Sequence, residues 1–296
     1  MSHIATIGFF DGVHVGHQYV FSHLQKEAKL RQLSPLIITF SQHPREVLQD
    51  GYVPELLTDI TERKALLEQY APTMVFDFKQ VYQLTAQEFM RYLHEQYDVR
   101  VILMGYDHHF GCDRLTTYHD YALAGEAVGV EIKALSQYKP QVDSAEDGLP
   151  QHVSSTEIRS LLHTGDVVCA NELLGYAYTL YGTVVHGNEI GRKIGFPTAN
   201  ITPRDPHKLI PKEGVYQAEV NIGGQWKKGV LNIGKNPTVG NKQQTIEVYI
   251  IDYEGNIYGS DIQVRLLKRL RDEHHFDSLS ALKEQIAQDI ALCGKE

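Results

Sequence analysis

The sequence predicts an α/β domain followed by a small antiparallel β-barrel with a C-terminal helix. In the first half, apolar strand-like runs alternate with helix-like stretches, which implies a parallel sheet covered by helices on both faces. After residue 180 the strand-like runs are joined by short segments with Gly, Asn or Pro, which leave no room for crossover helices. A chain of 296 residues has the length of two domains. We expect these domains to cover residues 1–175 and 176–296.

The first half contains five expected strands and four expected helices. The strands are Ile4–Phe9, Leu36–Phe40, Met74–Phe76, Val99–Met104 and Val130–Leu135. The helices are approximately Gly16–Leu33, Glu62–Tyr70, Thr85–Tyr97 and Tyr118–Gly129. Ligands of such sheets bind outside the carboxyl ends of the strands, so the segments that follow the strands are the place to look for a site.

Two short helices and a barrel are expected in the rest of the chain. The helices are Ser155–Leu162 and Asp166–Leu174, and Gly175 is the expected C-cap of the second. The barrel strands are Tyr178–Val185, Gly214–Ile222, Gln225–Ile233, Thr245–Ile251 and Gly259–Leu267. In Ser278–Leu292 the helical spacing of Leu279, Leu282, Ile286 and Ile290 predicts one amphipathic helix packed on the barrel.

Composition and charge argue against several classes of protein. The net charge of −9 gives no general attraction to nucleic acid or to an anionic membrane. No signal peptide is expected, and no apolar run approaches the ~20 residues that a membrane span needs. Cys112, Cys169 and Cys293 are odd in number and widely spaced, which is typical of reduced thiols. We therefore expect a cytoplasmic protein with neither nucleic acid nor membrane as a partner.

The segment after the first strand carries a pattern suited to phosphate. It reads Gly8-Phe9-Phe10-Asp11-Gly12-Val13-His14-Val15-Gly16-His17 and opens the first helix. Its glycines allow an anion to approach the backbone, and the helix N-terminus offers unpaired N–H groups. His14 and His17 can direct two ring donors at one phosphate; the helix dipole should keep the free imidazoles neutral. The alternatives are structural histidines or a metal-binding pair, for which no further ligand stands nearby.

A second segment, Ser154-Ser155-Thr156-Glu157-Ile158-Arg159, places hydroxyl groups at a helix start and an arginine in its first turn. The hydroxyls alone could be ordinary N-caps. A cation at a helix N-terminus is unfavourable unless an anion binds there, so Arg159 favours a phosphate ligand.

Together these two segments resemble the signatures of adenylyl-transferring nucleotidyltransferases, in the version found in bacterial bifunctional riboflavin kinase/FAD synthetases. The resemblance implies a Rossmann-like first domain. The implied ATP-binding residues are Gly8, Phe9, Asp11, Gly12, His14, His17, Ser155, Thr156 and Arg159. The implied flavin-binding residues are His43, Asp107 and Phe110. Where the family usually carries an arginine, this chain has His108-His109, and the permanently charged fork is lost.

A second glycine-rich string precedes the sequence Phe-Pro-Thr-Ala-Asn in the second half. It covers residues 187–200 and resembles the flavokinase signature. A surface hairpin with scattered glycines is the alternative. The implied ATP- and flavin-binding residues are Gly187, Gly191, Lys193, Gly195, Phe196, Pro197, Thr198, Asn200 and Asn232. Thr198 and Asn200 offer the oxygen ligands that Mg²⁺ prefers, so we expect them to hold the ion that accompanies ATP.

Glu247 lies in the strand-like stretch Thr245–Ile251. Alternation sends Ile246, Val248 and Ile250 to one face and leaves Glu247 and Tyr249 on the other. An exposed strand glutamate is commonly inert. The resemblance implies instead that Glu247 is the general base of the kinase, while His14 and His17 serve the adenylyl transfer.

The resemblance covers nearly the whole chain and implies two reactions. The second domain would phosphorylate riboflavin to FMN with MgATP, and the first would transfer an adenylyl group from ATP to FMN, giving FAD and pyrophosphate. Two alternatives remain open. One is a riboflavin kinase with an inactive first domain, motivated by His108-His109; the other is a non-catalytic flavin carrier.

Overall fold

Alternation of apolar strands with helices in the first half produces a five-stranded parallel sheet. The protein is represented by a computed structural model that describes residues 1–106, 108–138, 153–187, 191, 195–235, 244–274, 276 and 278–293. The strands are β1 His3–Ile7, β2 Ser34–Phe40, β3 Thr73–Phe76, β4 Val99–Met104 and β5 Glu131–Ala134. The helices are α1 Val15–Arg31, α2 Pro44–Leu48, α3 Ile60–Leu67, α4 Phe78–Val81, α5 Ala86–Tyr97 and α6 Tyr118–Glu126.

The strand order β3-β2-β1-β4-β5 fixes the position of the site. β1 pairs in parallel with both β2 and β4, so the order reverses between β1 and β4. Neighbouring residues of β1 enter the cores on opposite faces of the sheet, Ile4 on one and Ala5 on the other. Ligands of doubly wound sheets bind at such a switch point, beyond the carboxyl ends of the strands. The Rossmann-like arrangement is confirmed, and the segments after Ile7 and Met104 meet at this edge.

The second half forms a closed antiparallel barrel. The strands are β6 Thr179–Val185, β7 Thr198–Pro203, β8 Gly214–Ile222, β9 Gln225–Lys235, β10 Gln244–Ile250 and β11 Asp261–Arg271. Their order around the barrel is β10-β7-β6-β11-β8-β9. The strand β7 is absent from the sequence-based expectation. It begins directly after Pro197 and ends at Pro203, and its short Thr-Ala-Asn-Ile alternation is a weak strand signal between two prolines.

Two helices precede the barrel and one follows it. These are α7 Ser155–Thr164, α8 Val167–Leu174 and α9 Leu279–Cys293. Gly175 ends α8 in the left-handed conformation, as expected for a C-cap. The C-terminal helix packs on the barrel as predicted, but mainly through its last turn, where Cys293 contacts Val215 and Val230. The expected contribution of Leu279 is wrong, because 60% of that residue is exposed.

Contacts divide the chain into two units, Met1–Ser155 and Thr156–Glu296. The helices α7 and α8 thus fall in the second unit; for example, Asn171 Nδ2 donates to the carbonyl of Leu266 at 2.8 Å. The domain boundary after residue 175 stays a prediction. Among the described helices, none has the length and apolar character needed to cross a bilayer.

Candidate active sites

The turn between β1 and α1 is held in a strained conformation. Phe10 and Val13 have positive φ angles of 53° and 42°, and Gly12 lies between them at 75°. Left-handed backbone at a residue other than glycine costs on the order of 1–3 kcal/mol and persists only where the surroundings hold it. The surrounding bonds come from a buried carboxylate. Asp11 accepts from the backbone N–H groups of Leu57 and Thr58, both at 3.0 Å.

Asp11 therefore holds the turn between β1 and α1 in place. Thr58 adds two further hydrogen bonds to this turn. Its hydroxyl donates to Asp11 at 3.0 Å and accepts from the Gly12 N–H at 3.1 Å. The Ser155 hydroxyl donates to the carbonyl of Asp11 at 2.9 Å. The structure places the Asp11 carboxylate on Leu57 and Thr58, and its assignment to ATP binding stays a prediction.

His14 and His17 stack face to face at the start of α1. Their ring centroids lie 3.6 Å apart with an interplanar angle of 18°. His14 Nδ1 accepts the backbone N–H of His17 at 3.4 Å and so caps the helix. Because Nδ1 is the acceptor, the neutral His14 ring carries its proton on Nε2 and can donate from that atom. The parallel rings are suited to donating to the same anion.

His17 is neutral in the free protein. Burial lowers the pKa of the His17 imidazole well below its usual range, and the nearby His14 and His108 rings lower it further. Its Nδ1 is buried without a hydrogen-bond partner among the described residues. The neutral form expected from the helix dipole is thus found for His17, and burial and the neighbouring imidazoles account for it. A polyphosphate would supply both the missing partner and the opposite charge.

A cavity of about 890 Å³ opens beside this turn and includes Gly8 in its wall. Five phenylalanine rings line it: Phe9, Phe40, Phe78, Phe89 and Phe110. Its volume lies within the range of small-molecule sites, and its aromatic wall suits a flat, apolar ring system. Phe110 was predicted to bind flavin and lines this wall. His43 contacts the Phe9 ring edge-on at 4.8 Å, whereas Asp107 lies outside the described residues.

Phe9 is supported by a buried cation that the sequence reasoning missed. The Arg63 guanidinium lies 3.9 Å from the centroid of the Phe9 ring and donates to the carbonyl of Phe40 at 2.6 Å. Only 1% of Arg63 is exposed. Its helix, α3, is joined to the same turn through Thr58 and the capping residue Asp59. A basic residue on an amphipathic helix normally indicates the solvated face, so this role could not be predicted from the sequence.

Thr156 and Arg159 lie in the first turns of α7, within the second unit. Their assignments to ATP binding stay predictions.

In the barrel, the predicted base and the predicted metal ligand lie side by side. Thr198 Oγ1 donates to Glu247 Oε2 at 3.1 Å, across the β7–β10 pair. Strand register places Asn200 opposite Glu247 on one side and Asn232 opposite it on the other. The alternation of β10 is as predicted, since Ile246, Val248 and Ile250 are buried and the residues between them are half-buried. The four polar side chains therefore meet on the outer face of three adjacent strands.

Two glycines of the second string approach this polar group so closely that no side chain would fit. A Cβ atom on Gly187 would lie 2.1 Å from Asn200 Nδ2, and one on Gly191 would lie 2.3 Å from the carbonyl oxygen of Phe196. The Phe196 N–H in turn donates to the Gly191 carbonyl at 2.8 Å. Gly187 and Gly191 thus lie against β7 and the residues just before it. Lys193 lies outside the described residues.

A second cavity, of about 470 Å³, adjoins the polar group of the barrel. Pro197 and Thr198 form one wall, and the segment between β10 and β11 forms another, including Tyr253 and Tyr258. The ring of Tyr258 stacks on His186 with centroids 3.9 Å apart. The cavity is thus partly aromatic and apolar, and it reaches the Thr198–Glu247 pair through Thr198.

Comparison with known proteins assigns each half of the chain. A family model described as FAD synthetase matches residues 1–146, and one described as riboflavin kinase matches residues 174–295. The bifunctional riboflavin kinase/FMN adenylyltransferase of Escherichia coli K12 is 36% identical over 97% of this chain and 90% of its own length. The Bacillus subtilis protein of the same description is 32% identical, with the same coverage of both chains.

The chain belongs to the bifunctional riboflavin kinase/FMN adenylyltransferase family.

Both domains of this family are present, which confirms the resemblance drawn from the motifs. A solved structure from Streptococcus pneumoniae, described as a macrolide-efflux protein, covers 100% of this chain with a TM-score of 0.88 and 31% identity. This likeness confirms the fold over the full length.

The geometry also shows residues that the motif analysis assigned to no site. The cavity wall formed by Tyr253 and Tyr258 lies between two barrel strands, and aromatic residues in such a connection are the available sequence signal. Thr58 and Arg63 support the first site from a distance of more than 40 residues along the chain. No local pattern links such residues, because their proximity arises only when the sheet is formed.

Proposed function

We propose that this chain makes FMN and FAD in two separate sites. The barrel transfers the γ-phosphate of ATP to the 5′-hydroxyl of riboflavin, and the parallel-sheet unit joins FMN to the adenylyl group of a second ATP. The observation that carries the proposal is the convergence of predicted side chains in each unit: Thr198 with Glu247 in one, and His14 with His17 in the other. We propose the domain boundary after residue 175 and a cytoplasmic location as parts of the same account.

In the kinase site Glu247 acts as the general base. Its carboxylate accepts the proton of the riboflavin 5′-hydroxyl as that oxygen attacks the γ-phosphorus and the bond to ADP breaks. The Thr198 hydroxyl donates a hydrogen bond to Glu247, which orients the carboxylate and leaves the lone pairs of Oγ1 free for a cation. The small cavity beside Thr198 accommodates the adenosine part of ATP.

The residues present fit a magnesium ion. Thr198 and Asn200 offer neutral oxygen ligands beside the Glu247 carboxylate, and the absence of a side chain at Gly187 leaves space against Asn200. When bound there, Mg²⁺ would neutralise charge on the β- and γ-phosphates of ATP. The protein groups then bind the phosphates through the glycine-rich loop and exclude water with Phe196 and Pro197.

In the adenylyl-transfer site the protein acts by positioning and charge stabilisation. A phosphate oxygen of FMN attacks the α-phosphorus of ATP, and the bond to pyrophosphate breaks, without a covalent enzyme intermediate. His14 and His17 donate to the phosphate oxygens on which negative charge develops. The phenylalanine-lined cavity holds the isoalloxazine ring of FMN and thereby orders the attacking phosphate.

Product analysis tests both reactions. Purified chain incubated with riboflavin, ATP and Mg²⁺ should give FMN and then FAD, and the chain incubated with FMN, ATP and Mg²⁺ should give FAD and pyrophosphate. FMN formation from riboflavin, with no FAD in either experiment, would support the narrower kinase function that His108-His109 suggested. Binding of flavin without either product would support the carrier alternative.

A further inference from the structure

His108 occupies the point at which this chain departs from its family, and the structure places it beside the imidazoles of the first site. His108 follows β4, and its N–H donates to the Gly105 carbonyl at 3.3 Å. The ring lines the same cavity wall as Gly8 and Phe9. Together with His14 it lowers the pKa of His17, so the three imidazoles lie within electrostatic range of one another.

His109, which occupies the position of the lost arginine, takes a different role. Its ring contacts Tyr121 with centroids 6.4 Å apart and an interplanar angle of 64°. The Tyr121 hydroxyl donates to the carbonyl of Phe110 at 2.8 Å and accepts the N–H of the same residue at 2.9 Å. His109 is thus part of the contacts that fix the cavity wall. His108 is the member of the pair that lowers the pKa of His17.

We propose that His108 is a third phosphate-contacting side chain of the adenylyl transfer, and that the cluster of His14, His17 and His108 gains a proton when the polyphosphate of ATP binds. This inference rests on the proposed adenylyl transfer at that site. His108 would thus add a residue to the site. The proton gained by the histidine cluster when ATP binds would replace the permanent positive charge of the missing arginine.

The physical reason is the crowding of three imidazoles at one helix N-terminus. A proton on His17 is disfavoured by burial and by the positive charge that His14 and His108 would carry. A bound polyphosphate reverses both effects, because it partners the charged ring and neutralises it. The ring nitrogens then act as charge-assisted donors, which bind phosphate more strongly than neutral ones.

Among the described residues, the other titratable or charged groups of this turn and of the cavity wall make other contacts. They are Asp11, His43, Arg63, His109 and Arg114. The Asp11 carboxylate is bonded to Leu57 and Thr58, and Arg63 lies over Phe9. His43 contacts Phe9, and Arg114 lines the same cavity as Thr116 and Leu115.

The proposal fixes the sign of the pH dependence. His17 is neutral in the free chain and the cluster carries a proton in the proposed complex, so ATP binding is strongest at low pH. Binding weakens as the pH rises through the pKa of the complex, because the bound cluster then loses its proton. An arginine at position 108 would stay charged throughout this range and remove that dependence.

The test is kcat/KM for ATP in FAD formation from supplied FMN, measured from about pH 5 to about pH 8, the window in which histidines change charge. Riboflavin phosphorylation by the same chain serves as the reference for folding and for the titration of ATP itself. We expect kcat/KM of the native chain to fall with pH relative to the kinase reaction. His108→Gln should lower it about ten- to a hundredfold at the acidic end, mainly through KM for ATP, and little at the alkaline end.

His108→Arg should restore kcat/KM and flatten the profile. The matched control is His119→Gln on the exposed surface of α6, which should leave the profile unchanged. A His108→Gln chain with the native profile would overturn this proposal alone, as would an equal loss at every pH without restoration by arginine. A native chain that makes no FAD at any pH would overturn the proposed adenylyl transfer and this inference with it.

Discussion

Replacing Glu247 by Gln tests its role as the general base of the kinase reaction separately from its role in the structure. The glutamine keeps the shape of the side chain, and its amide oxygen can still accept the Thr198 hydroxyl proton that Oε2 accepts at 3.1 Å. Because this hydrogen bond survives in neutral form, we expect the free energy of unfolding to change by about 1 kcal/mol or less. The amide cannot take a proton from the ribityl hydroxyl, and loss of a general base lowers kcat by about 10²–10⁴-fold.

The assay compares two products of the same preparation. FMN formation from riboflavin should fall by that factor, while FAD formation from supplied FMN should stay within about twofold of the native rate, since Glu247 does not belong to the second reaction. Glu247→Ala should also abolish FMN formation and spare FAD formation.

The matched control is Glu219→Gln, the same chemical change on another barrel strand. Glu219 is partly exposed and lies 3.9 Å from Arg265, a surface ion pair of little energetic weight. Its kinase rate should be native. If Glu247→Gln retains kinase activity while the control behaves as expected, Glu247 is not the base.

Three further changes test other parts of the account. His17→Ala should reduce FAD formation alone, and an equal loss of both reactions would argue against separate sites. Gly187→Ala should lower the kinase rate with FAD formation from FMN unchanged, because the new Cβ would displace Asn200, only 2.1 Å away; a native kinase rate would contradict the assigned loop geometry. Asp289→Ala removes the partner of Arg271, bonded at 2.8 Å with 2% of the Asp289 side chain exposed, and should destabilise the barrel by about 3 kcal/mol in denaturant titrations. The single tryptophan lies in the barrel and reports this transition, and an unchanged midpoint would exclude a stabilising pair.

Much of the fold could be predicted from the hydrophobic periodicity of the sequence and from the glycine, proline and asparagine residues between the periodic segments. Continuous apolar runs predicted the parallel strands, and the β4 segment was placed at Val99–Met104 as found. The strand β7 was missed because it is only six residues long, starts directly after Pro197 and ends with Pro203, and proline is a poor strand former. The exposed Leu279 was misplaced because spacing predicts a helix face, but which turns of that face touch the barrel depends on the length of the neighbouring strands.

The sites were predictable in their residue types and less so in their support. His14, His17, Thr198 and Glu247 come together as their motifs indicated. The role of the Asp11 carboxylate was not foreseen, since its partners lie 46 and 47 residues further along the chain. The motifs indicate which side chains contact a ligand. The hydrogen bonds that hold those side chains in place come from residues distant in the sequence, so they cannot be predicted from a local motif.

The central claim is that two independent sites act in sequence, and mixing two inactivated chains tests it most directly. With riboflavin, ATP and Mg²⁺, Glu247→Gln alone should give no appreciable product and His17→Ala alone should give FMN only. The two chains in one tube should produce FAD, because FMN released by the second chain is adenylylated by the first. FAD made from riboflavin by either variant alone, or no FAD from the mixture, would contradict the account.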